Sequence, residues 1–121
     1  MTPEGKVKAL VNRRLEQHFG RRCYRFMPVQ NGMGAPGLDY HCCIDGLAVY
    51  IETKMEGKTL TERQRLTRNR IEEASGLVFE IHNKVEIDAM IARIEWTIQG
   101  PRNKTKLPRS EERRVGKECR L

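Results

Sequence analysis

The dipeptide Asp45-Gly46 constrains the fold of this 121-residue chain more than any other feature. It separates two strand-like apolar segments, residues 38–44 and 47–53. Asp-Gly in such a place is typical of a type I′ hairpin turn, because both central residues of that turn need positive φ. A two-residue turn also fixes the register, so Ile44 lies opposite Leu47 and each further step pairs the next residues outward. The sequence therefore predicts a hairpin in which Asp39 faces Glu52.

Helices and further strands are predicted on both sides of this hairpin. Thr2-Pro3-Glu4 has the cap, the proline and the acid of a helix start, and apolar residues then recur at helical spacing as far as the stop at Gly20. Residues 23–27 and 77–81 resemble strands, residues 30–37 a loop, and residues 61–75 and 83–98 helices that end at Gly76 and at Gly100-Pro101. The order α-β-β-β-α-β-α predicts an α/β sandwich.

Length and charge suggest one small domain, residues 1–100, followed by a basic tail, residues 101–121. The tail carries eight Lys or Arg and three Glu, a net charge of +5, whereas residues 1–100 carry only +2. Within the tail, residues 109–119 resemble the translation of a sequencing-adapter oligonucleotide, so we expect residues 109–121 to be non-native. No apolar stretch is long enough for a membrane span, and no signal peptide is visible. We therefore expect no membrane partner, a cytoplasmic location, and free thiols at the four cysteines.

The predicted hairpin concentrates charge on one of its faces. Residues directly opposite each other share a face, and so do residues two apart on a strand, so Asp39, Glu52 and Lys54 form one patch. Opposed like charges cost stability, and a divalent cation would offset that cost, since Mg²⁺ is commonly held by one or two carboxylates. Lys54 could then stabilise negative charge on a phosphate. The alternative is an exposed hairpin face with an ordinary Glu-Lys ion pair.

The same residues resemble a known signature. Gly37-Leu38-Asp39 followed by Ile51-Glu52-Thr53-Lys54 is similar to the motif of PD-(D/E)xK nucleases, and in particular to their VRR-NUC (virus-type replication-repair nuclease) branch. The resemblance covers roughly residues 3–82. Leu38 departs from it, because the family has Pro there, but that Pro is a backbone preference and not a ligand. Further matches stand in the family's order: Glu4, residues 28–32, Gly57-Lys58, Gln64 and residues 76–79.

The resemblance implies a restriction-endonuclease-like core with a central mixed sheet flanked by helices. It also implies Mg²⁺ or Mn²⁺ dependence and hydrolysis of phosphodiester bonds in DNA. Stand-alone members of similar length are phage-encoded, some of them selective for branched DNA and dimeric, which implies a role in phage replication or repair inside a bacterial cell. The resemblance also implies that the backbone carbonyl of Thr53 is a metal ligand. Five side chains match active-site positions of the family: Glu4, Asp39, Glu52, Lys54 and Gln64.

Several of these residues have an alternative interpretation. Glu4 also suits the positive end of a helix, and Thr61 with Gln64 also fits a capping box. Arg63, Arg65 and Arg68 could contact phosphates without reading sequence, or form a solvated basic face. Tyr24, Tyr50 and Trp96 are predicted to be core or interface residues rather than base-stacking platforms.

Two further alternatives concern the whole chain. An apolar stripe on the last helix is core by default and could also support a homodimer: Ile87, Met90, Ile91, Ile94 and Ile98. The alternative to a nuclease is a non-catalytic nucleic-acid-binding module on the same fold.

Overall fold

The computed structural model describes residues 2–28 and 37–103, with side chains up to residue 100. Four strands form one sheet in the order β1-β2-β3-β4, in which β1, β2 and β3 are antiparallel neighbours and β4 runs parallel to β3. The predicted mixed sheet flanked by helices is confirmed. The elements are α1 (Pro3–Phe19), a 3₁₀ turn (Gly20–Arg22), β1 (Cys23–Phe26), β2 (Tyr40–Ile44), β3 (Leu47–Thr53), α2 (Glu62–Glu73), β4 (Leu77–Ile81) and α3 (Lys84–Asn103).

The central hairpin has the predicted turn and the predicted register. Asp45 and Gly46 have φ of 49° and 84°, as a type I′ turn requires. The ladder runs from Ile44 opposite Leu47 to Tyr40 opposite Ile51. Strand β2 begins two residues later than predicted, so Asp39 lies one step beyond the last ladder pair.

One face of the sheet is buried under α1 and supplies the core. Tyr40, Cys42 and Ile44 point to this face from β2, and each is buried. Helix α1 adds buried apolar residues that recur at helical spacing: Val11, Leu15 and Phe19. The Tyr40 hydroxyl donates to the Lys8 carbonyl at 3.2 Å and accepts from Asn12 Nδ2 at 3.1 Å, which ties the sheet to α1. The burial of this hydroxyl raises the pKa of Tyr40 to about 12.

The first half of helix α3 belongs to the same compact unit as the sheet. Its N-terminus is capped by Asn83, whose Oδ1 accepts from the Glu86 N–H at 3.0 Å. Ile87, Met90 and Ile91 are buried, and Asp88 forms an ion pair with Arg14 of α1 at 3.0 Å. By compactness, residues up to Ile91 form one unit, and the chain from Ala92 onward forms a second.

Helix α2 lies on the opposite face of the sheet, as the crossover between the parallel strands β3 and β4. It has no buried residue, so this face is only partly covered. The helix begins at a capping box formed by Thr61 and Gln64. At its other end Ser75, with φ of 70°, adopts the left-handed conformation, and Gly76 follows it into β4.

The predicted end of the last helix is wrong. Helix α3 continues past Gly100-Pro101 to Asn103. A proline inside a helix removes one backbone hydrogen bond but does not prevent the helical dihedral angles, so a helix can extend past it at a cost in free energy.

Among the described residues, no helix combines the length and apolar composition needed to cross a membrane. The three described cysteines are free thiols, as predicted.

Candidate functional site

Three carboxylates from three separate elements meet at one end of the central hairpin. Glu4 comes from the first turn of α1, Asp39 from the residue before β2, and Glu52 from the end of β3. One oxygen atom of each lies within 4.8 Å of the others. The pair predicted from the hairpin register is therefore present, and α1 adds the third acid.

Asp39 is held in place by hydrogen bonds that cross the hairpin. Its Oδ2 accepts from the backbone N–H of Thr53 at 2.9 Å and from the Thr53 hydroxyl at 2.7 Å. Its own backbone N–H donates to Glu52 Oε1 at 3.1 Å. These bonds replace the next pair of the strand ladder. They therefore fix the position of the Asp39 carboxylate relative to the Glu52 carboxylate, although Asp39 lies outside the strand.

Glu52 is the most buried acid of the three. It is 4% exposed, and burial together with the charge of Asp39 raises its pKa from 4.5 to about 7. Lys54 Nζ lies 3.9 Å from Glu52 Oε2 and partly offsets these effects. Lys54 follows on the same face and is itself mostly covered, with 16% of its side chain exposed.

The charges of this cluster suit a bound cation. Two ammonium groups accompany the three carboxylates: Lys54 beside Glu52, and Lys8, whose Nζ lies 3.5 Å from Asp39 Oδ1. The pKa of Glu52 is raised even though Lys54 acts to lower it, so its ionised form is not fully compensated. Oxygen ligands on one Mg²⁺ lie about 2.0–2.1 Å from the ion, and so within roughly 4 Å of each other. The three oxygens are near that spacing, so the residues fit a divalent cation.

The structure places Gln64 in the capping box. Its Oε1 accepts from the Thr61 N–H at 2.9 Å, and Thr61 Oγ1 accepts from the Gln64 N–H at 3.2 Å. The capping-box interpretation is thus confirmed. A role of Gln64 in the site stays a prediction. Because the side-chain oxygen is engaged at the helix cap, the side-chain amide nitrogen is the group that would have this role. The Thr53 carbonyl likewise stays a predicted ligand, although its residue is buried beside Asp39.

The predicted phosphate-contacting arginines differ from one another. Arg68 is engaged within α2 by Glu72 at 3.1 Å, and Arg65 lies 3.4 Å from the Thr59 hydroxyl. Arg63 lines a groove between α2 and the sheet, together with Arg70. Only Arg63 of the three is thus directed toward the sheet face that carries Glu52.

Sequence reasoning missed two members of the site. Lys8 stands four residues after Glu4 on α1, a spacing that puts both on one side of a helix and could have revealed it. The Thr53 hydroxyl was overlooked because only its carbonyl was considered. His82 follows β4; its Nδ1 lies 2.8 Å from Glu86 Oε1 and its Nε2 lies 3.1 Å from Glu80 Oε2. Burial lowers the pKa of His82, but its bonds to the Lys58 carbonyl and Glu86 outweigh this and raise it.

Comparison with known proteins identifies the fold. No family model and no curated protein matches the chain. A solved structure described as a VRR_NUC domain superposes with a TM-score of 0.65 and 20% sequence identity. The likeness covers 76% of this chain and 97% of that one. This chain has the fold of a VRR_NUC domain. At that identity the likeness shows the fold alone, and it confirms the predicted nuclease-like α/β architecture.

Proposed function

We propose that this protein is a metal-dependent nuclease that hydrolyses phosphodiester bonds in DNA, with its active site at Glu4, Asp39, Glu52 and Lys54. The observation that carries the proposal is the meeting of three carboxylate oxygens within 4.8 Å, next to a mostly covered lysine. The likeness to a VRR_NUC domain supports the same activity, because that is the fold on which the site is built. The resemblance of the sequence to PD-(D/E)xK nucleases assigns the same residues.

The three carboxylates would hold Mg²⁺ or Mn²⁺, and the Thr53 carbonyl is proposed as a further ligand. A divalent cation bound there supplies a water of lowered pKa and neutralises charge on the scissile phosphate. Asp39 would be held for this role by its bonds to Thr53 and by the ion pair with Lys8. Because Glu52 has a pKa of about 7, it must lose its proton before it can act as a ligand near neutral pH.

Lys54 would contact the phosphate directly. Its ammonium group lies on the sheet face of Glu52, 3.9 Å from Glu52 Oε2. An ammonium fixed at this position stabilises the negative charge that develops on a phosphate during hydrolysis. Gln64 is proposed to assist through its amide nitrogen, because its amide oxygen is engaged at the helix cap.

The preferred substrate and the assembly are finer proposals. We extend the proposal to branched DNA, to a role in phage replication or repair, and to a homodimer, on the resemblance to the stand-alone members alone. The alternative remains a binding module without catalysis on the same fold. It differs in one respect that can be measured, since it would bind DNA but cleave none of it with any divalent cation.

Cleavage of a supercoiled plasmid and a four-way DNA junction tests the proposal, each with Mg²⁺, Mn²⁺ or EDTA. The wild type is compared with Asp39→Ala and Lys54→Ala, and with Asp88→Ala as a matched control, since Asp88 is an exposed acid far from the cluster in sequence. We expect cation-dependent products from the wild type and the control and none from the other two variants. Salt-sensitive binding without any cleavage, alike in all four proteins, would favour the binding module.

A further inference from the structure

A row of aromatic side chains crosses three strands on the sheet face that α2 leaves partly open. Phe26 of β1 lies directly opposite His41 of β2, and His41 lies directly opposite Tyr50 of β3. Residues opposite each other share a face, so the three rings form one row in which neighbouring rings meet edge to face. The ring centroids of Phe26 and His41 are 6.3 Å apart, and those of His41 and Tyr50 are 4.9 Å apart. Phe26 is 52% exposed, so the row is open to solvent at its outer end.

This aromatic row adjoins the carboxylate cluster. His41 and Tyr50 form the ladder pair two steps before Asp39 and Glu52. Two residues along a strand span about 7 Å and return to the same face. A chain of nucleotides laid across the row would therefore reach the carboxylates without leaving this face of the sheet.

The groove at the inner end of the row adds positive charge. It has a volume of about 540 Å³, with Tyr50 and Ala48 from β3 on one side and residues of α2 on the other. Arg63 and Arg70 line it, together with the apolar Leu66 and Ile71. Within the described residues neither arginine has an ion-pair partner. Two guanidinium groups without an ion pair, beside a row of half-buried rings that ends in the exposed Phe26, match a ligand with both phosphates and flat bases.

We infer that Phe26, His41 and Tyr50 form a stacking platform for an unpaired DNA strand, whose phosphates are bound by Arg63 and Arg70 in the groove beside it. The inference rests on the proposed function and specifies its substrate: the strand that enters the carboxylate site is single-stranded next to the scissile bond. Only an unpaired strand exposes its base faces, because in a duplex the bases are stacked on one another.

Charge also distinguishes this ligand from a second copy of the chain. Residues 1–100 carry a net charge of only +2, but the open face carries two arginines that form no ion pair with any described residue. Like charges brought together at an interface cost free energy, whereas a polyanion is attracted. The aromatic row alone would suit either ligand, so the arginines decide between them.

Fluorescence anisotropy in EDTA measures this binding apart from cleavage. The probes are a labelled oligo(dT) and an abasic oligonucleotide of equal length, which carries the same phosphate charge but has no bases. The variants are Phe26→Ala, Phe26→Trp and, as a matched control, Trp96→Ala, which removes an aromatic residue that is 66% exposed outside the row. Phe26 is exposed enough for its replacement to leave the core intact.

We expect the wild type to bind oligo(dT) at least tenfold more tightly than the abasic strand, since stacking on one aromatic residue contributes roughly 1–3 kcal/mol per base. Phe26→Ala should lose about tenfold in affinity for oligo(dT) and nothing for the abasic strand. Phe26→Trp should restore the affinity, and Trp96→Ala should match the wild type.

Equal affinity of the wild type for the two strands would overturn the inference. So would a Phe26→Ala variant that dissociates a dimer in sedimentation velocity while its binding of DNA is unchanged, because the row would then be an interface between two copies. Base-dependent binding by a protein that cleaves no DNA would support the platform and contradict the nuclease, so the two proposals fail separately.

Discussion

At the residue scale, the decisive feature is a buried glutamate whose charge the described residues around it compensate only in part. Glu52 accepts one backbone N–H and has one lysine at 3.9 Å. Burial and Asp39 both act against its ionised form, and its pKa rises from 4.5 to about 7. Such an arrangement costs stability at neutral pH, and it is typical of functional sites, where a ligand compensates the cost.

This glutamate predicts how stability depends on pH in the absence of divalent cations. A raised folded pKa means that the folded protein binds the proton more tightly than the unfolded chain does. The stabilising contribution is therefore fully present below pH 4.5 and is lost as pH rises through about 7. Glu52→Gln, which stays neutral and can still accept from the Asp39 N–H, should exceed the wild type in stability by up to about 3 kcal/mol at pH 8.

Urea denaturation in EDTA at pH 4, 6 and 8 measures this difference. The advantage of Glu52→Gln should grow with pH and be smallest at pH 4. Glu73→Gln, at the exposed end of α2, serves as a control for the loss of a surface charge. An advantage of Glu52→Gln that is constant with pH, or that falls toward pH 8, would show that the buried carboxylate is compensated in some other way.

At the scale of elements, α2 is the helix on the sheet face that carries the site, and two local devices fix its position. The Thr61–Gln64 capping box begins it. At its end, Gly76 follows so closely that an added Cβ would lie 2.6 Å from Ile71 Cγ2 and 3.3 Å from Tyr50 Cε2. Because α2 has no buried residue, the capping box and Gly76 contribute more to its stability than they would in a core helix.

The capping box separates the two roles predicted for Gln64. Gln64→Glu keeps an oxygen for the Thr61 N–H, because either residue completes a capping box, but it removes the amide nitrogen. We expect its melting temperature to stay near that of the wild type while its cleavage rate falls at least tenfold. Thr61→Ala should instead lower stability by about 1 kcal/mol. Unchanged cleavage by Gln64→Glu would limit Gln64 to the helix cap.

The close packing around Gly76 leads to a second prediction for this helix. Gly76→Ala should lower the free energy of unfolding by about 1–3 kcal/mol, because the new methyl group overlaps Ile71 and presses on Tyr50. Gly100→Ala is the matched control: it lies in α3 with no atom within 4 Å of its added Cβ, and alanine should stabilise a helix by up to about 1 kcal/mol. Equal stability changes in the two variants, measured by urea denaturation, would show that Gly76 has more space than the packing indicates.

At the scale of the whole molecule, the site depends on bringing together residues that are distant in sequence. The Asp45-Gly46 turn and strand periodicity were enough to predict that Asp39 faces Glu52, since both rules are local. The position of Glu4 was predictable only in part, because it depends on how α1 packs against the sheet. Lys8 was missed, although its spacing from Glu4 places it on the same side of the helix. The end of α3 was predicted wrongly at Gly100-Pro101, because a local stop signal does not decide against an established helix.

The most direct test of the central claim, that the three carboxylates form a divalent-cation site, is a calorimetric titration of Mn²⁺ into the DNA-free protein at pH 6.5. Saturable binding of a single cation is expected, with a heat that changes with the buffer, because Glu52 releases its proton on binding. Asp39→Asn and Glu52→Gln should lose this binding, and Asp88→Asn should keep it. The absence of saturable binding in the wild type, or binding that survives in Asp39→Asn and Glu52→Gln, would contradict the account.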